Sequence, residues 1–390
     1  MKGRTGAPQD RGCLVGIIFF ILGLGTLLPW NFFMTASLYF QGRLNTTEWV
    51  NNTQVVRKEY YFNNWMTLLS QLPLLLFTLL NSFLYQRISE AVRVAGSLVF
   101  ILLLFILTAV LVKVPMEEDL FFSVTMATIW FINSFGAVLQ GSLFGLVGLL
   151  PQKYSTIFMS GQGLAGTFAA VAMLLAIASD ADSESAALGY FITPCVGTLV
   201  TLFSYLLLPC LVSELPGIQS LLVLIWVMAF CVTFVFTVTL SVFPAVTADT
   251  RTTFPGRWER FFISVCCFLM FNFNDWLGRT ITTLIRWPRK ESRLFPALVV
   301  SRVVFIPLLM LCNVQPRSFL PVYFSHDAVF AVIMVVFSVS SGYFVCLSMS
   351  YAPQLVDPKD AETAGALMTF FLALGLSIGA ALSFLLRALV

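Results

Sequence analysis

The stretch VAGSLVFILLLFILTAVLV, residues 94–112, decides the fold class, because it runs for nineteen residues without a charged side chain. A helix that crosses the hydrocarbon core of a membrane needs about 20 mostly apolar residues. Backbone amides cannot stay unpaired in hydrocarbon, and this stretch lacks the alternating pattern of a barrel strand. It therefore predicts a membrane-spanning helix.

The rest of the chain repeats this pattern. Of its 390 residues, 58% are hydrophobic and 11% are charged, and the mean hydropathy is +0.90, whereas soluble domains carry about 25% charged residues. Boundaries drawn at charges and turn residues give eleven predicted spans: 13–39, 63–86, 91–112, 120–148, 156–179, 187–211, 219–246, 260–285, 295–312, 327–352 and 362–387. We therefore predict an all-α polytopic membrane protein with eleven transmembrane helices. This class excludes soluble enzymes and disulfide-stapled secreted domains.

Six predicted spans precede a short connection and five follow it. We expect residues 1–212 to form an N-terminal six-helix bundle, residues 213–218 a short cytosolic connection, and residues 219–390 a C-terminal five-helix bundle. Each half opens with a long span that carries a proline near its outer end, Pro29 and Pro244. Paired kinks are compatible with the two-repeat architecture of transporters, but two unrelated helix ends would give the same pattern.

Two sequons predict the orientation of the chain in the membrane. Asn45 and Asn51 each begin an Asn-X-Thr sequence in the longest hydrophilic segment, residues 41–62. Such sites are glycosylated on the lumenal or extracellular side. We therefore expect a cytoplasmic N-terminus and, because the number of spans is odd, an extracellular C-terminus. The lysine and arginine distribution agrees weakly, mostly through the basic cluster at 286–293.

Composition and motifs argue against several other functions. A net charge of +3 without a long basic run gives no reason to expect a nucleic-acid partner. The cysteines and the single histidine, His326, lack zinc-ligand spacing, so we expect no metal and no cofactor. The sequence contains no Walker, HExxH or GxSxG motif, which argues against an ATP-driven pump and against an enzyme. Residues 161–166 formally match a dinucleotide fingerprint, but they lie on a membrane helix with no preceding strand, and helix packing explains them better.

Ionisable side chains inside the predicted spans mark candidate functional positions, because inserting one costs about 2.5–3.5 kcal/mol. Asp275 and Arg279 in span eight are four residues apart and share one helical face. The spacing alone leaves two interpretations open. The pair either neutralises itself as a structural ion pair or faces an aqueous cavity and binds a hydroxylated substrate. Arg302 in span nine and Glu362 at the start of span eleven complete the set.

Amide and apolar side chains inside the spans could line such a cavity. An amide can donate to and accept from a neutral ligand, although it can equally join two helices. The candidate amides are Asn31, Gln140, Gln162 and Asn272, and the candidate apolar walls are Trp30, Met34, Phe243 and Trp276. Because no cluster of intramembrane acids suggests a sodium or proton relay, the pattern favours movement of a neutral solute down its own gradient.

Six strings, in this order, resemble the equilibrative nucleoside transporters. They are LGLGTLLPWNFF at 22–33, LPLLLFTLLNSFLYQR at 72–87, GAVLQGSLFGL at 136–146, SGQGLAG at 160–166, FNDWLGR at 273–279 and ETAGALMTFFLALGL at 362–376. The resemblance covers nearly the whole chain and is strongest to the two mammalian plasma-membrane members of that family.

The resemblance implies a fold related to the major facilitator superfamily, with six plus five helices. It implies uncoupled transport of purine and pyrimidine nucleosides such as adenosine and uridine across the plasma membrane by alternating access. Asp275 and Arg279 match the pair that engages ribose, and Gln140 matches the glutamine that reads the nucleobase. Further cavity positions that the resemblance implies are Leu27, Trp30, Asn31, Met34, Phe243 and Asn272.

The same resemblance extends to partners. It implies adenosine-reuptake inhibitors as ligands and leaves nucleobases open as additional substrates, and we expect a monomer in the lipid bilayer. The long charged loop that the family usually carries between spans six and seven is absent, because residues 208–226 pass almost directly from one apolar run to the next. A nucleoside-binding membrane receptor or channel that does not alternate its access is the competing hypothesis.

Overall fold

In the computed structural model the chain is helical apart from one short hairpin. The structure describes residues 13–44, 47–50, 53–56, 60–84, 87–179, 182–208 and 222–390. Its α-helices are α1 (Leu14–Thr35), α2 (Ser37–Leu44), α3 (Phe62–Leu84), α4 (Glu90–Lys113), α5 (Glu118–Gly148), α6 (Gln152–Ala178), α7 (Ser183–Leu207), α8 (Leu222–Val242), α9 (Arg257–Phe262), α10 (Met270–Ile281), α11 (Leu294–Ser301), α12 (Phe305–Met310), α13 (Asp327–Tyr351) and α14 (Ala361–Leu389). Strands β1 (Thr47–Val50) and β2 (Thr53–Val56) pair antiparallel between α2 and α3.

The prediction of a mostly helical polytopic membrane fold is confirmed. Within the described residues, ten helices are long and apolar enough to cross a membrane. A shorter apolar helix, Leu294–Met310, occupies the position of predicted span nine. It consists of α11 and α12 joined by a 3₁₀ turn at Arg302–Val304. Whether the chain crosses the membrane ten or eleven times therefore depends on this one segment.

Two predicted spans end differently in the structure. The first predicted span, 13–39, is present, but a one-residue turn at Ala36 separates α1 from α2, and the apolar span runs to Leu44. The seventh predicted span is also present and runs to Asp249, but its α-helix ends at Val242 and Pro244 lies in the turn that follows. Proline has no backbone N–H and cannot continue a helix without losing a hydrogen bond. Pro29 lies inside α1 whereas Pro244 lies after the end of α8, so these two prolines do not occupy equivalent positions in their helices.

The eighth span is a composite helix. α9 continues into α10 through a π-helical segment, Ile263–Leu269. A π-helical segment has wider turns than an α-helix, so it rotates every following side chain about the helix axis relative to an uninterrupted α-helix. Asn272, Asp275 and Arg279 all follow this segment and are spaced so that they share one face of α10. The segment therefore determines which side of the helix carries the polar residues.

Glycines allow α10 to lie close against two neighbouring helices. A methyl group added at Gly163 in α6 would collide with the backbone of Trp276, and one at Gly342 in α13 would collide with the carbonyl oxygen of Asp275. Such close approaches need a residue without a side chain. The glycines of residues 161–166 thus serve helix packing: Gly163 and Gly166 lie against α10, and Gly161 lies against α1.

The two predicted halves meet along two helix interfaces. α6 packs against α10 and α13, and α14 packs against α3 and α5. Within each half, α1 packs against α6 and α7, while α8 packs against α13 and α14. A space remains between the two interfaces, and the candidate site lies there.

Candidate functional site

A cavity of about 670 Å³ lies between the two predicted halves. Its walls come from α1, α3, α5 and α6 on one side and from α8, α10, α13 and α14 on the other. The residues proposed from the sequence as substrate contacts all line this cavity: Leu27, Trp30, Asn31, Met34, Gln140, Phe243, Asn272, Asp275 and Arg279. The fold therefore brings residues that are far apart in the sequence together around one cavity.

Asp275 and Arg279 form an ion pair on the cavity wall. Arg279 Nε donates to Asp275 Oδ2 at 2.7 Å, and only 7% of Asp275 and 6% of Arg279 are exposed. The pair lies in α10 with the i, i+4 spacing that the sequence predicts. Burial in a protein interior is costly for a single charge, so each side chain needs the other.

The ion pair leaves hydrogen-bonding groups unused. Arg279 Nη1 reaches Gln162 Oε1 at 3.5 Å, and Gln162 Nε2 donates to Thr26 Oγ1 at 3.1 Å. Among the described residues, Asp275 Oδ1 and Arg279 Nη2 have no hydrogen-bond partner. A free carboxylate oxygen beside a free guanidinium N–H can accept from one hydroxyl and donate to its neighbour. This arrangement suits a vicinal diol.

Gln140 presents an unpaired amide to the cavity from the opposite half. It lies in α5 and is 6% exposed, yet its side chain has no hydrogen-bond partner within the described part of the chain. The amide atoms are not enclosed by protein, so they are accessible from the cavity. A neutral polar ligand that offers both a donor and an acceptor would satisfy them.

Two asparagines in the cavity use their side chains differently. Asn31 Nδ2 donates to Leu27 O at 2.8 Å, and Asn272 Nδ2 donates to Phe268 O at 2.8 Å. Each amide is thereby fixed to its own helix. Its oxygen is left as an acceptor, which a donor on a ligand could use.

Aromatic rings close parts of the wall, although not all of those proposed from the sequence. Trp30 lines the cavity, and Phe243 stacks on Phe271 with ring centroids 3.9 Å apart. Trp276 does not line it, because its Nε1 donates to Ser160 Oγ at 3.2 Å between α10 and α6. The suggestion that Trp276 forms an apolar cavity wall is therefore wrong.

Other lining residues were missed by the sequence reasoning. Thr26, Gln71, Thr239 and Ser341 all line the cavity. Gln71 Oε1 is buried without a partner in the described residues. Serine and threonine occur throughout these helices, so nothing in the sequence distinguishes the lining hydroxyls from those that bond to their own helix.

Arg302 and Glu362, the other ionisable residues proposed from the sequence, do not line the cavity. Arg302 lies behind the wall, and Glu362 is half-buried at the start of α14. The two sequon asparagines, Asn45 and Asn51, lie outside the described residues.

The cavity opens at the end of the bundle where α3 begins and α14 ends. Exposed Asn63 and Asn64 line it there, together with Asp249 and Arg387, whose Oδ2 and Nε are 2.7 Å apart. We call this end the mouth. Arg387 also donates to the carbonyl oxygen of Gln315, which ties the end of α14 to the loop before α13.

The opposite end is closed by contacts between the halves. The side chain of Gln152 in α6 accepts from Arg286 Nη1 at 3.0 Å and donates to Ser350 Oγ at 3.3 Å. Within the C-terminal half, Lys290 Nζ donates to Gln354 O at 3.2 Å nearby. The cavity is therefore a pocket open to one side only.

Comparison with known proteins gives consistent matches. The sequence model of a family described as "Nucleoside transporter" matches residues 126–215 and 211–388. The chain is 52% identical over 451 residues to equilibrative nucleoside transporter 2 of Rattus norvegicus, with 98% of this chain and 99% of that protein covered. It is 47% identical over 453 residues to equilibrative nucleoside transporter 1 of Homo sapiens, with the same coverage of 98% and 99%.

Solved structures match in fold. The major facilitator superfamily transporter FucP in its outward conformation aligns with a TM-score of 0.59 at 12% identity, covering 96% of this chain and 97% of that one. The human organic anion transporter MFSD10 aligns with a TM-score of 0.57 at 12% identity, covering 96% and 93%. At such low identity the likeness shows a shared fold alone.

Proposed function

This chain belongs to the equilibrative nucleoside transporter family, and from that premise we propose that it carries purine and pyrimidine nucleosides, adenosine and uridine among them, by alternating access. Facilitative transport of nucleosides is the activity of the relatives it matches over nearly their full length. The chain is accordingly a multi-pass membrane transporter, and its relatives are named as transporters rather than enzymes.

One observation carries the proposed binding mode. The ion pair of Asp275 and Arg279 keeps one acceptor and one donor free, while Gln140 offers an unpaired amide from the other half. A nucleoside has a vicinal diol at one end and a base with donors and acceptors at the other. We propose that Asp275 and Arg279 hold the ribose hydroxyls and that Gln140 binds the base, with Trp30, Met34 and Phe243 against the apolar faces.

Alternating access follows from where the contacts lie. The cavity touches both halves, and Gln152 holds the far end closed through Arg286 and Ser350. Each of these hydrogen bonds contributes about 0.5–1.5 kcal/mol to the closed state. The total is small enough for the far end to open during transport. A substrate that bonds to both halves could then stay bound while the mouth closes and the far end opens.

The membrane arrangement is part of the proposal. We propose that Leu294–Met310 is the ninth of eleven spans, because it is apolar and its seventeen residues, at 1.5–2.0 Å each, extend about 27 Å, close to the thickness of the hydrocarbon core. Six spans then precede the connection at 213–218 and five follow. The family match falls into two parts that meet at 211–215, which supports a shortened loop at that position.

The sequons support a mouth that faces outward. Glycosylation of Asn45 and Asn51 would require this hydrophilic segment to lie outside the cell, so we propose a cytoplasmic N-terminus and an extracellular C-terminus. We propose that the protein resides in the plasma membrane as a monomer. The cavity volume falls within the range of about 300–1,000 Å³ typical of drug-sized ligands, so adenosine-reuptake inhibitors are proposed to bind there as well.

Purified protein reconstituted into proteoliposomes provides the test. We expect uptake of radiolabelled uridine that stops when the internal and external concentrations are equal and that does not respond to an imposed pH or sodium gradient. Unlabelled uridine trapped inside should drive transient accumulation of external label. A receptor would show binding without accumulation, and a channel would show flux without this counterflow, so either result would refute the transporter mechanism.

A further inference from the structure

One buried cation, Arg302, lies directly behind the cavity wall. It is 2% exposed and belongs to the 3₁₀ turn between α11 and α12. Its guanidinium makes five hydrogen bonds: Nε to Ser340 Oγ at 3.0 Å, Nη1 to Val235 O at 3.1 Å, Nη2 to Phe337 O at 3.1 Å, and both Nη1 and Nη2 to Thr239 Oγ1 at 3.2 Å. All five N–H groups are used.

None of these partners, within the described part of the chain, is a carboxylate. The guanidinium also lies 5.3 Å from the centroid of the Phe337 ring, so dipoles and a ring face solvate its positive charge, and no described residue forms an ion pair with it. A buried charge is expensive to maintain, and one without an ion-pair partner is unusual. Its retention calls for a role that hydrogen bonds alone do not explain.

The charges that line the cavity cancel one another. Asp275 pairs with Arg279, and Asp249 pairs with Arg387, each at 2.7 Å. Arg302 thus adds an uncompensated positive charge to an otherwise neutral set. The field of this charge extends into the cavity because the protein wall screens it far less than water would.

Only one layer of side chains separates Arg302 from the cavity. Thr239, which accepts from the guanidinium, lines the cavity, and its Oγ1 lies 3.2 Å from the Oγ of Ser341, which also lines it. The next residue, Gly342, touches the backbone carbonyl of Asp275. The charge is therefore close to the side of the cavity where Asp275 lies.

We propose that Arg302 sets a positive potential on the Asp275 side of the cavity and thereby makes the transporter favour neutral over cationic nucleosides. Arg302 acts through Thr239 and Ser341 and is a positioning and specificity residue rather than a substrate contact. This inference rests on the proposed function, since it assigns discrimination by charge to the same site. A unit charge at an effective dielectric constant of about 20 changes the affinity of a nearby ion by about tenfold or more.

The test compares three competitors of uridine uptake that share ribose and base and differ in charge. They are neutral 5′-deoxyuridine, 5′-amino-5′-deoxyuridine with an ammonium group, and uridine 5′-carboxylic acid with a carboxylate. Inhibition constants are measured in proteoliposomes. The inhibition constant of each charged probe is divided by that of the neutral probe, which gives a cation-to-neutral ratio and an anion-to-neutral ratio. In Arg302→Gln we expect the cation-to-neutral ratio to fall about tenfold and the anion-to-neutral ratio to rise. Arg302→Lys keeps the charge and should leave both ratios unchanged.

A second route neutralises Arg302 without removing it. Ser340→Asp places a carboxylate where Nε now finds a hydroxyl, so it should shift both ratios as Arg302→Gln does. Ser340→Asn is the matched neutral control. Arg293→Gln removes an exposed arginine at the start of α11 and should shift neither ratio.

A structural role alone would give a different pattern. If Arg302→Gln weakened all three probes by the same factor, the electrostatic proposal would be wrong. If Arg302→Gln fails to reach the membrane, the well-expressed Ser340→Asp variant decides instead. Unchanged cation-to-neutral and anion-to-neutral ratios in that variant would refute the electrostatic proposal. Absence of uridine uptake in the unsubstituted protein would contradict the proposed function itself, which is a separate outcome.

Discussion

A single hydrogen bond of 2.7 Å joins Arg279 to Asp275, and it uses only the Nε of the guanidinium. Neither terminal nitrogen of Arg279 bonds to Asp275, and Nη1 reaches Gln162 Oε1 at 3.5 Å. The pair is therefore only partly satisfied by the protein, which distinguishes it from a structural ion pair that is complete in itself.

Replacing Arg279 by alanine should remove most transport. The substitution removes the charged donor that we propose binds a ribose hydroxyl, an interaction worth about 1.5–3 kcal/mol, and it also leaves the Asp275 carboxylate without its ion-pair partner. We expect the efficiency of uridine uptake to fall by roughly 100-fold or more, while the protein is still detected at the cell surface. Normal uptake kinetics in this variant would refute the assignment of Arg279 to the ribose. Arg279→Lys keeps the charge but loses the planar guanidinium. Its efficiency of uridine uptake should lie between that of the unsubstituted protein and that of Arg279→Ala.

Replacing Gln140 by leucine should affect binding more than stability. Its amide has no protein partner among the described residues, so the fold loses no hydrogen bond when it is removed. A bound base would lose about one hydrogen bond, which predicts a rise in KM for uridine of about 3- to 10-fold. The thermal unfolding temperature of this variant should not be lower than that of the unsubstituted protein. A large loss of stability with an unchanged KM would contradict the assignment.

Replacing Gly342 by alanine should disturb the site through the backbone. The added methyl group would collide with the carbonyl oxygen of Asp275, and neither group is free to move aside. Overpacking of this kind costs about 1–3 kcal/mol, so we expect a lower unfolding temperature together with weaker uridine uptake. Gly189→Ala is the matched control, since nothing lies within 4 Å of its added methyl group. Equal behaviour of the two variants would show that α10 and α13 are not tightly packed.

Removing the sequons tests the orientation. Protein made in mammalian cells should lose apparent mass on treatment with peptide N-glycosidase, and the double variant Asn45→Gln, Asn51→Gln should not respond to the enzyme. Glycans at these positions require the segment between α2 and α3 to be extracellular. An untreated protein that already migrates like the double variant would contradict the predicted topology.

Much of the fold could be predicted because hydrocarbon imposes a simple rule on the chain. Charge-free runs identify helices, and this sufficed for the ten long helices and for the short segment that contains Arg302. The rule describes length and polarity only. It could not reveal the break at Ala36, or that α8 ends before Pro244.

The candidate site was predicted less completely. The spacing of Asp275 and Arg279 shows that they can pair, and the structure confirms the pair. Their position at a cavity depends on the π-helical segment, for which hydrophobic periodicity gives no signal. Thr239 and Ser341 could not be identified either, because a lining hydroxyl and one that bonds to its own helix look the same in sequence.

The π-helical segment at Ile263–Leu269 also limits how this protein can be altered. The segment already accommodates about one residue more than an α-helix would, so a further residue inserted between it and Asn272 would turn the later side chains of the eighth span by about 100° and aim Asp275 and Arg279 into packed helices or lipid. A change of one residue in the hairpin between α2 and α3 carries no such penalty, since no helix continues through it. Engineered or evolving variants should therefore tolerate changes in length at that hairpin, whereas in the eighth span the number of residues matters as much as their chemistry.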